Sequence, residues 1–406
     1  MALADLTEPD KPFTRRAFSP LFLEGRKFLT DRLQAAGLAT RVDAAGNLIG
    51  RLEGEEPLAA VIALGSHSDT VQRGGRFDGI AGVVAALEVA RVLKERGERL
   101  RHTIEVIDCL AEEPTDFGLS CIGSRGLSGA LDHHMLARTN PAGERLDEAI
   151  RGVGGDPNHI ADAVRSDIIA FLELHIEQGP VLEATSIDIG IVTSIVGIRR
   201  IEIIFEGQAA HAGTAPMDLR RDAAVPAAAT LLEVRRIADA LALEGQGYFV
   251  ATIGIVQVEP GSPNVVPRRA RLVIDARSSN PDTIKRFSNH IDAFSAAVAA
   301  DFRVDRSRFL ILSDARASDC DPYLRGTLIR ASNQLGLRHV DIASGAGHDA
   351  AFMSRVCPAA MVFVPCLRGM SHTPDEWADK SAIVGGTAVL LEAVREIDRR
   401  HSALPG

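Results

Sequence analysis

At 406 residues the chain is longer than one hydrophobic core usually serves, so two domains are expected. Apolar residues make up 46% and charged ones 24%, an ordinary soluble balance, while the net charge of −9 and the 4% aromatic content argue against nucleic acid or an acidic membrane as a partner. The opening MALADLTEPDKPFTRRAF lacks an apolar stretch of signal length, no run nears the ~18 residues of a membrane helix, and the cysteines form no CxxC pair, so a cytoplasmic protein without disulfides is the expectation.

The first predicted strand, VIALG (61–65), is continuously apolar, as a strand covered on both faces should be. It runs into GSHSDTVQRGGRFDG (65–79), where His67, Asp69 and Asp78 stand among glycines, and then into IAGVVAALEVARVLKERG, whose apolar spacing is helical. The next apolar run, TIEVIDCLA (103–111), leads to Glu112 and Glu113, and IIAFLEL (168–174) leads to His175, with Glu177 and Gln178 just after. These runs alternate with helical stretches, the pattern of an α/β fold with a mostly parallel sheet. From 197 to about 314 the pattern changes to strand (RRIEIIFEG), helix (MDLRRDAAVPAAATLLEVRRIADAL), two strands, helix and strand. That βαββαβ order is the split, ferredoxin-like arrangement, read here as a domain (197–314) inserted into a larger one (1–196 and 315–406). The last apolar run, AAMVFVP (359–365), returns to the first sheet and leads through CLRGMS to His372.

Position carries more weight here than residue type. One histidine at a strand end is more often structural than functional, but metal-competent groups follow all four apolar runs at the carboxyl end, where open α/β sheets bind ligands. His67, His175 and His372 with Asp78 and one of the paired glutamates form a donor set suited to two divalent cations that share a carboxylate. Asp78 is the expected bridge, because neighbouring glycines let the backbone bend close, and Asp69 is placed to orient His67. Alternation of side chains along an extended chain would let one glutamate bind metal while the other faces water. Glu112 is assigned as general base and Glu113 as ligand, although alternation is equally compatible with the reverse order.

The chain also resembles the di-metal hydantoinase/carbamoylase branch of the amidohydrolases, which is related to zinc aminopeptidases and aminoacylases and includes enzymes acting on N-carbamoyl-L-amino acids, allantoate, ureidoglycolate and β-ureidopropionate. The resemblance extends from FTRRAFSP (13–20) nearly to the C-terminus, through DAAGNLIGRLEG (43–54), GSHSDTVQRGGRFDG (65–79), AEEPTDFG (111–118), ELHIEQGPVLE (173–183), HAGTAPMDLRRDA (211–223), PNVVP (263–267), SGAGHDA (344–350) and GMSHTPDE (369–376). It implies an aminopeptidase-like catalytic domain whose inserted domain serves as lid and dimerisation surface. It implies His67, Asp78, Glu113, His175 and His372 as ligands of two divalent cations, zinc first among zinc, manganese, cobalt and nickel, with Glu112 as base. His211 is implied to stabilise the oxyanion in the partner subunit's site of a homodimer, and Gln178, Asn264, Arg277 and His348 to contact a small ureido substrate, Arg277 as a fork for its carboxylate. The activity implied is hydrolysis of the linear ureido C–N bond of an N-carbamoyl-L-amino acid. Alternatives are allantoate or ureidoglycolate hydrolysis and, further off, an aminoacylase or dipeptidase.

Two departures from that pattern stand out. Where relatives commonly have glycine and then arginine after the paired glutamates, this chain has Pro114 and Asp116, which puts substrate preference in question. Ser68 replaces a bulky aliphatic residue beside the first ligand.

Overall fold

Why the four apolar runs can be buried on both faces is plain once they are paired. The computed structural model describes residues 2–56 and 60–401. The runs become the strands Val61–His67, Thr103–Cys109, Ile168–Ile176 and Ala359–Val364, buried along nearly their whole length. Val61–His67 pairs in parallel with Thr103–Cys109 on one side and Ile168–Ile176 on the other, and Ile168–Ile176 pairs in parallel with Ala359–Val364. Antiparallel strands extend the sheet at both flanks, Leu48–Leu52 beside Thr103–Cys109 and Ile189–Ile195 beside Ala359–Val364. The result is a nine-stranded mixed sheet with a parallel centre. Parallel neighbours need a crossover, and helix Ile80–Glu95 supplies the first, burying Ile80, Val83, Ala86, Val89, Ala90 and Leu93 on a stripe of helical spacing. It packs against the long C-terminal helix Lys380–His401. Because the central strands run the same way, the loops after them open on one edge of the sheet.

The chain divides into two compact units, one reaching to Thr193 and resuming at Asp319, the other spanning Ser194–Ser318. The second unit is a four-stranded antiparallel sheet in the order Asp305–Ala315, Gly197–Glu206, Arg269–Ser278, Phe249–Glu259. With helices Ala224–Leu243 and Pro281–Asp301 this is the βαββαβ arrangement. Its core joins Ile201, Ile203 and Phe205 with Leu272, Ile274, Phe287 and Ile291. Residues alternating with that core carry ion pairs, Glu202 with Arg271 at 2.7 Å and with Arg308 at 2.9 Å, as period-two strands with one covered face require.

One helix starts later than its sequence pattern suggests, at Ala224 and not Met217. Residues Met217–Leu219 form a single 3-10 turn, and Arg220 folds back onto the carbonyls of Ala212 and Ala215, which keeps the segment out of the helix. Asp222 then accepts a hydrogen bond from the Ala224 amide at 2.9 Å, and Pro226 falls in the first turn, where amides have no intrahelical partner to lose. Among the described residues no helix is long and apolar enough to cross a membrane.

Candidate metal centre

His67 ends its strand and His175 stands next to the end of its own. His67 Nδ1 lies 3.0 Å from the Asp69 carbonyl and His175 Nδ1 lies 2.9 Å from the Ile176 carbonyl. A carbonyl only accepts, so each Nδ1 carries a proton and each Nε2 is the atom turned toward the cluster; the Gly79 amide also lies 3.2 Å from His175 Nε2. His175 Nε2 is 3.1 Å from one oxygen of Asp78, and His372 Nε2 is 3.0 Å from the other. His372 Nε2 also lies 3.2 Å from Glu113 Oε1. Two sets of ligand atoms result, His67–Asp78–His175 and Asp78–Glu113–His372, each with its atoms within 4.8 Å of one another. Asp78 belongs to both. Gly79 makes this approach possible, since its φ is 65° and a Cβ there would come within 2.4 Å of the His67 ring.

The paired glutamates part for a different reason than strand alternation. Their strand ends at Cys109 and Ala111 is left-handed, with φ 53°, so the pair sits in a loop. The Glu112 and Glu113 amides both donate to the Asp69 carboxylate, at 3.3 and 3.2 Å. Asp69 therefore orients His67 through its carbonyl and the glutamates through its side chain. Glu113 turns to His372. Glu112 stays outside both ligand sets, with Oε2 at 3.7 Å from His67 Nε2 and Oε1 at 3.4 Å from the Cys121 thiol.

Burial pushes the Glu112 carboxyl well above the usual range; His67 opposes this, while Glu113, Asp349 and Asp69 add to it. Burial also raises Glu113, against the pull of His372. For Asp78 burial acts upward too, but contact with His175 and His372 holds it well below the ordinary value. Burial would depress His67, yet its bond to Asp69 and the charge of Glu112 carry it well up. His372, bonded to Asp78 and Glu113, is pushed up to about 11. Such imidazoles are held where carboxylates demand positive charge. Glu113 Oε1 is buried with the His372 ring, at 3.2 Å, facing it. Nitrogen and oxygen donors in this number, around a shared carboxylate, fit a pair of divalent cations.

Gln178 also reaches the cluster, its Nε2 donating to Asp78 Oδ1 at 3.0 Å and to Ser371 Oγ at 3.2 Å. His348 lies behind His175, with ring centroids 4.6 Å apart, and its Nε2 is 2.9 Å from Ser344 Oγ. It is only 2% exposed. Glu177 is engaged elsewhere, accepting from the amides of Val181 and Leu182 at 2.8 and 2.7 Å. His211, Asn264 and Arg277 belong to the second unit. There His211 pairs with Val265 and the Ala212 amide donates to the Asn264 carbonyl at 2.9 Å, so the first two are neighbours. Arg277 donates to Asp275 at 2.7 Å. Of the departures, Pro114 and Asp116 are exposed, with Asp116 bonded to Arg16 at 2.8 Å. Ser68 is buried and donates to Asp108 at 2.9 Å, a bond no aliphatic residue could make.

Several buried acids around the cluster escaped the sequence reading. Glu173 accepts from Ser66 at 2.8 Å and from the Ala350 amide at 3.1 Å, Asp349 accepts from Ser124 at 2.5 Å, and Glu376 braces the backbone at Asp78. Glu173 was detectable as the one acid within IIAFLEL, a run otherwise fit for burial on both faces. Asp349 and Glu376 offered no local pattern.

The chain matches Peptidase family M20/M25/M40 over residues 63–396. It is 40% identical over 391 residues to the N-carbamoyl-L-amino-acid amidohydrolase of Paenarthrobacter aurescens, covering 95% of this chain and 93% of that one. Identity to the ureidoglycolate hydrolase of Arabidopsis thaliana is 34% over 391 residues, covering 94% and 81%. The crystal structure of a hydantoinase/carbamoylase family amidase from Burkholderia multivorans superposes with a TM-score of 0.89 at 35% identity, covering 97% of this chain and 94% of that one. The chain therefore belongs to the M20/M25/M40 family, on its hydantoinase/carbamoylase side, and is a hydrolase of C–N bonds.

Proposed function

We propose that the chain hydrolyses the linear ureido bond of an N-carbamoyl-L-amino acid, releasing the amino acid, carbon dioxide and ammonia. The observation that carries this reading is the pair of ligand sets sharing Asp78, with the unliganded carboxylate of Glu112 beside them. The identity of 40% to an amidohydrolase of such substrates supports the choice of acyl group. Two divalent cations, zinc first, would be held by His67, Asp78, Glu113, His175 and His372, and when bound would polarise the ureido carbonyl and acidify water. Glu112 takes the proton of the attacking water, which its raised pKa suits, and delivers it to the leaving nitrogen. The resulting carbamic acid loses carbon dioxide. Asp69 holds Glu112 in register with His67, and Gln178, whose contact with substrate rests on the family resemblance, donates to Asp78. Oxyanion stabilisation by His211, substrate contacts by Asn264, Arg277 and His348, and dimerisation through the inserted unit rest on the family resemblance.

The test is ammonia release by protein loaded with zinc, manganese or cobalt. The panel holds N-carbamoyl-L-amino acids, N-carbamoyl-β-alanine, allantoate and ureidoglycolate, with N-acetyl and dipeptide controls followed by free amine. Ammonia from an N-carbamoyl-L-amino acid, abolished by chelator, is expected. Turnover confined to ureidoglycolate or allantoate would replace the acyl group, a reading favoured by the Arabidopsis relative. Amine from the controls alone would overturn the ureido assignment.

A further inference from the structure

The two ligand sets are not held in place by the same means. His67 and His175 are strand residues, fixed by sheet pairing opposite Cys109 and Phe363. Asp78 and His372 both lie in loops, and His372 has a left-handed backbone, φ 56°, with its side chain 48% exposed. Something other than the sheet must bring these loops close enough for His372 Nε2 to lie 3.0 Å from Asp78 Oδ2.

Glu376 is placed to do so. Its side chain is fully buried, with 0% exposure. Oε1 accepts from the Phe77 and Asp78 amides at 2.7 and 3.0 Å, and Oε2 accepts from Ser371 Oγ at 2.8 Å. Ser371 in turn accepts from Gln178, which donates its other hydrogen to Asp78. A closed ring of hydrogen bonds thus runs Glu376, Ser371, Gln178, Asp78 and back, joining the loops that follow three central strands. Every donor in it has one acceptor. Space for the carboxylate exists because residue 75 is glycine: a Cβ there would fall 1.9 Å from the Glu376 carboxyl. The Trp377 ring, packed edge-on to Phe77 at 5.5 Å, backs the same joint.

We propose that Glu376 is a positioning residue that sets the Asp78–Glu113–His372 cation position, while the His67–Asp78–His175 position depends far less on it. The inference rests on the metal reading above, and adds to it an asymmetry between the two positions with a single side chain as its origin. Loss of the carboxylate frees the His372 loop from the Asp78 loop, and only one of the two ligand sets draws on His372.

The experiment is titration of chelator-treated full-length protein with zinc chloride, followed by calorimetry and by metal analysis after gel filtration. Wild type should bind two zinc ions per chain. Glu376→Ala and Gly75→Ala, which removes the space for the carboxylate without altering its chemistry, should keep one ion at near wild-type affinity and bind the second at least ~10-fold more weakly. Glu376→Gln, which preserves volume and one acceptor oxygen, should fall between wild type and Glu376→Ala and carries the comparison if Glu376→Ala does not fold. Two ions bound with unchanged affinities in the folded variants would overturn the proposal, as would parallel loss of both. A wild-type chain that binds no zinc would overturn the metal reading itself, a result distinct from either.

Discussion

Glu112 and Glu113 are adjacent and chemically identical, yet their surroundings divide them. Glu113 faces His372 and shares a ligand set with Asp78, whereas Glu112 is buried beside His67 and the Cys121 thiol. Glu112→Gln is therefore expected to lower turnover by ~10²–10⁴-fold while still binding two cations, and metal analysis beside a rate assay checks both halves. Glu113→Gln should instead lose one cation. In the metal-free protein, Asp78 and Glu113 hold His372 up to about 11. A base raised above its unfolded value of ~6.5 stabilises the fold fully below that pH, and the contribution is lost as pH rises through the folded value. A cation replaces that proton, so binding should release protons and tighten as pH rises across the same window. Calorimetry in buffers of different ionisation enthalpy should show wild type releasing about one proton more than His372→Ala.

At the scale of elements, the turn between the first ligand strand and its crossover helix is the most constrained. Gly79→Ala would place a Cβ in a left-handed conformation and against the His67 ring, so a loss of ~1–3 kcal/mol is expected, read as a lower urea midpoint together with weaker metal binding. The segment before helix Ala350–Met353 contains a contrasting feature. Asp349 is pushed up to about 7, by burial first and by Glu173 next. An acid raised in this way disfavours the fold once it ionises, so metal-free protein should lose stability as pH rises from ~3.9 toward 7. Asp349→Asn keeps an acceptor for Ser124 and should melt higher than wild type above pH 7, with the difference vanishing near pH 4. Melting curves across that range decide it.

For the whole molecule, the inserted unit carries its own core, drawn from its own strands and helices. Its first and last strands are neighbours, with Ile198 opposite Ala315, so the chain enters and leaves at adjacent points. Residues 194–318 expressed alone should fold and show one cooperative urea transition; a broad, non-cooperative curve would contradict this.

Local sequence was enough to place the strand runs, the βαββαβ unit and the edge of the sheet where the candidate ligands lie. Each of these follows from local periodicity and from the rule that parallel strands present their carboxyl ends together. His67, Asp78, His175, His372 and the Glu112–Glu113 pair could be placed near one another for that reason, because each follows a run too apolar to be anything but a buried strand. Tertiary structure alone decided what separates Glu112 from Glu113, since a left-handed Ala111 and the Asp69 carboxylate replace the alternation of extended chain. It alone turned Arg220 back to delay a helix that periodicity would start at Met217. It also revealed Glu376, which accepts hydrogen bonds from amides almost three hundred positions away in the chain. No pattern in sequence marks such a residue, because its distant partners are the backbone amides of Phe77 and Asp78, and any residue in the right loop would supply them.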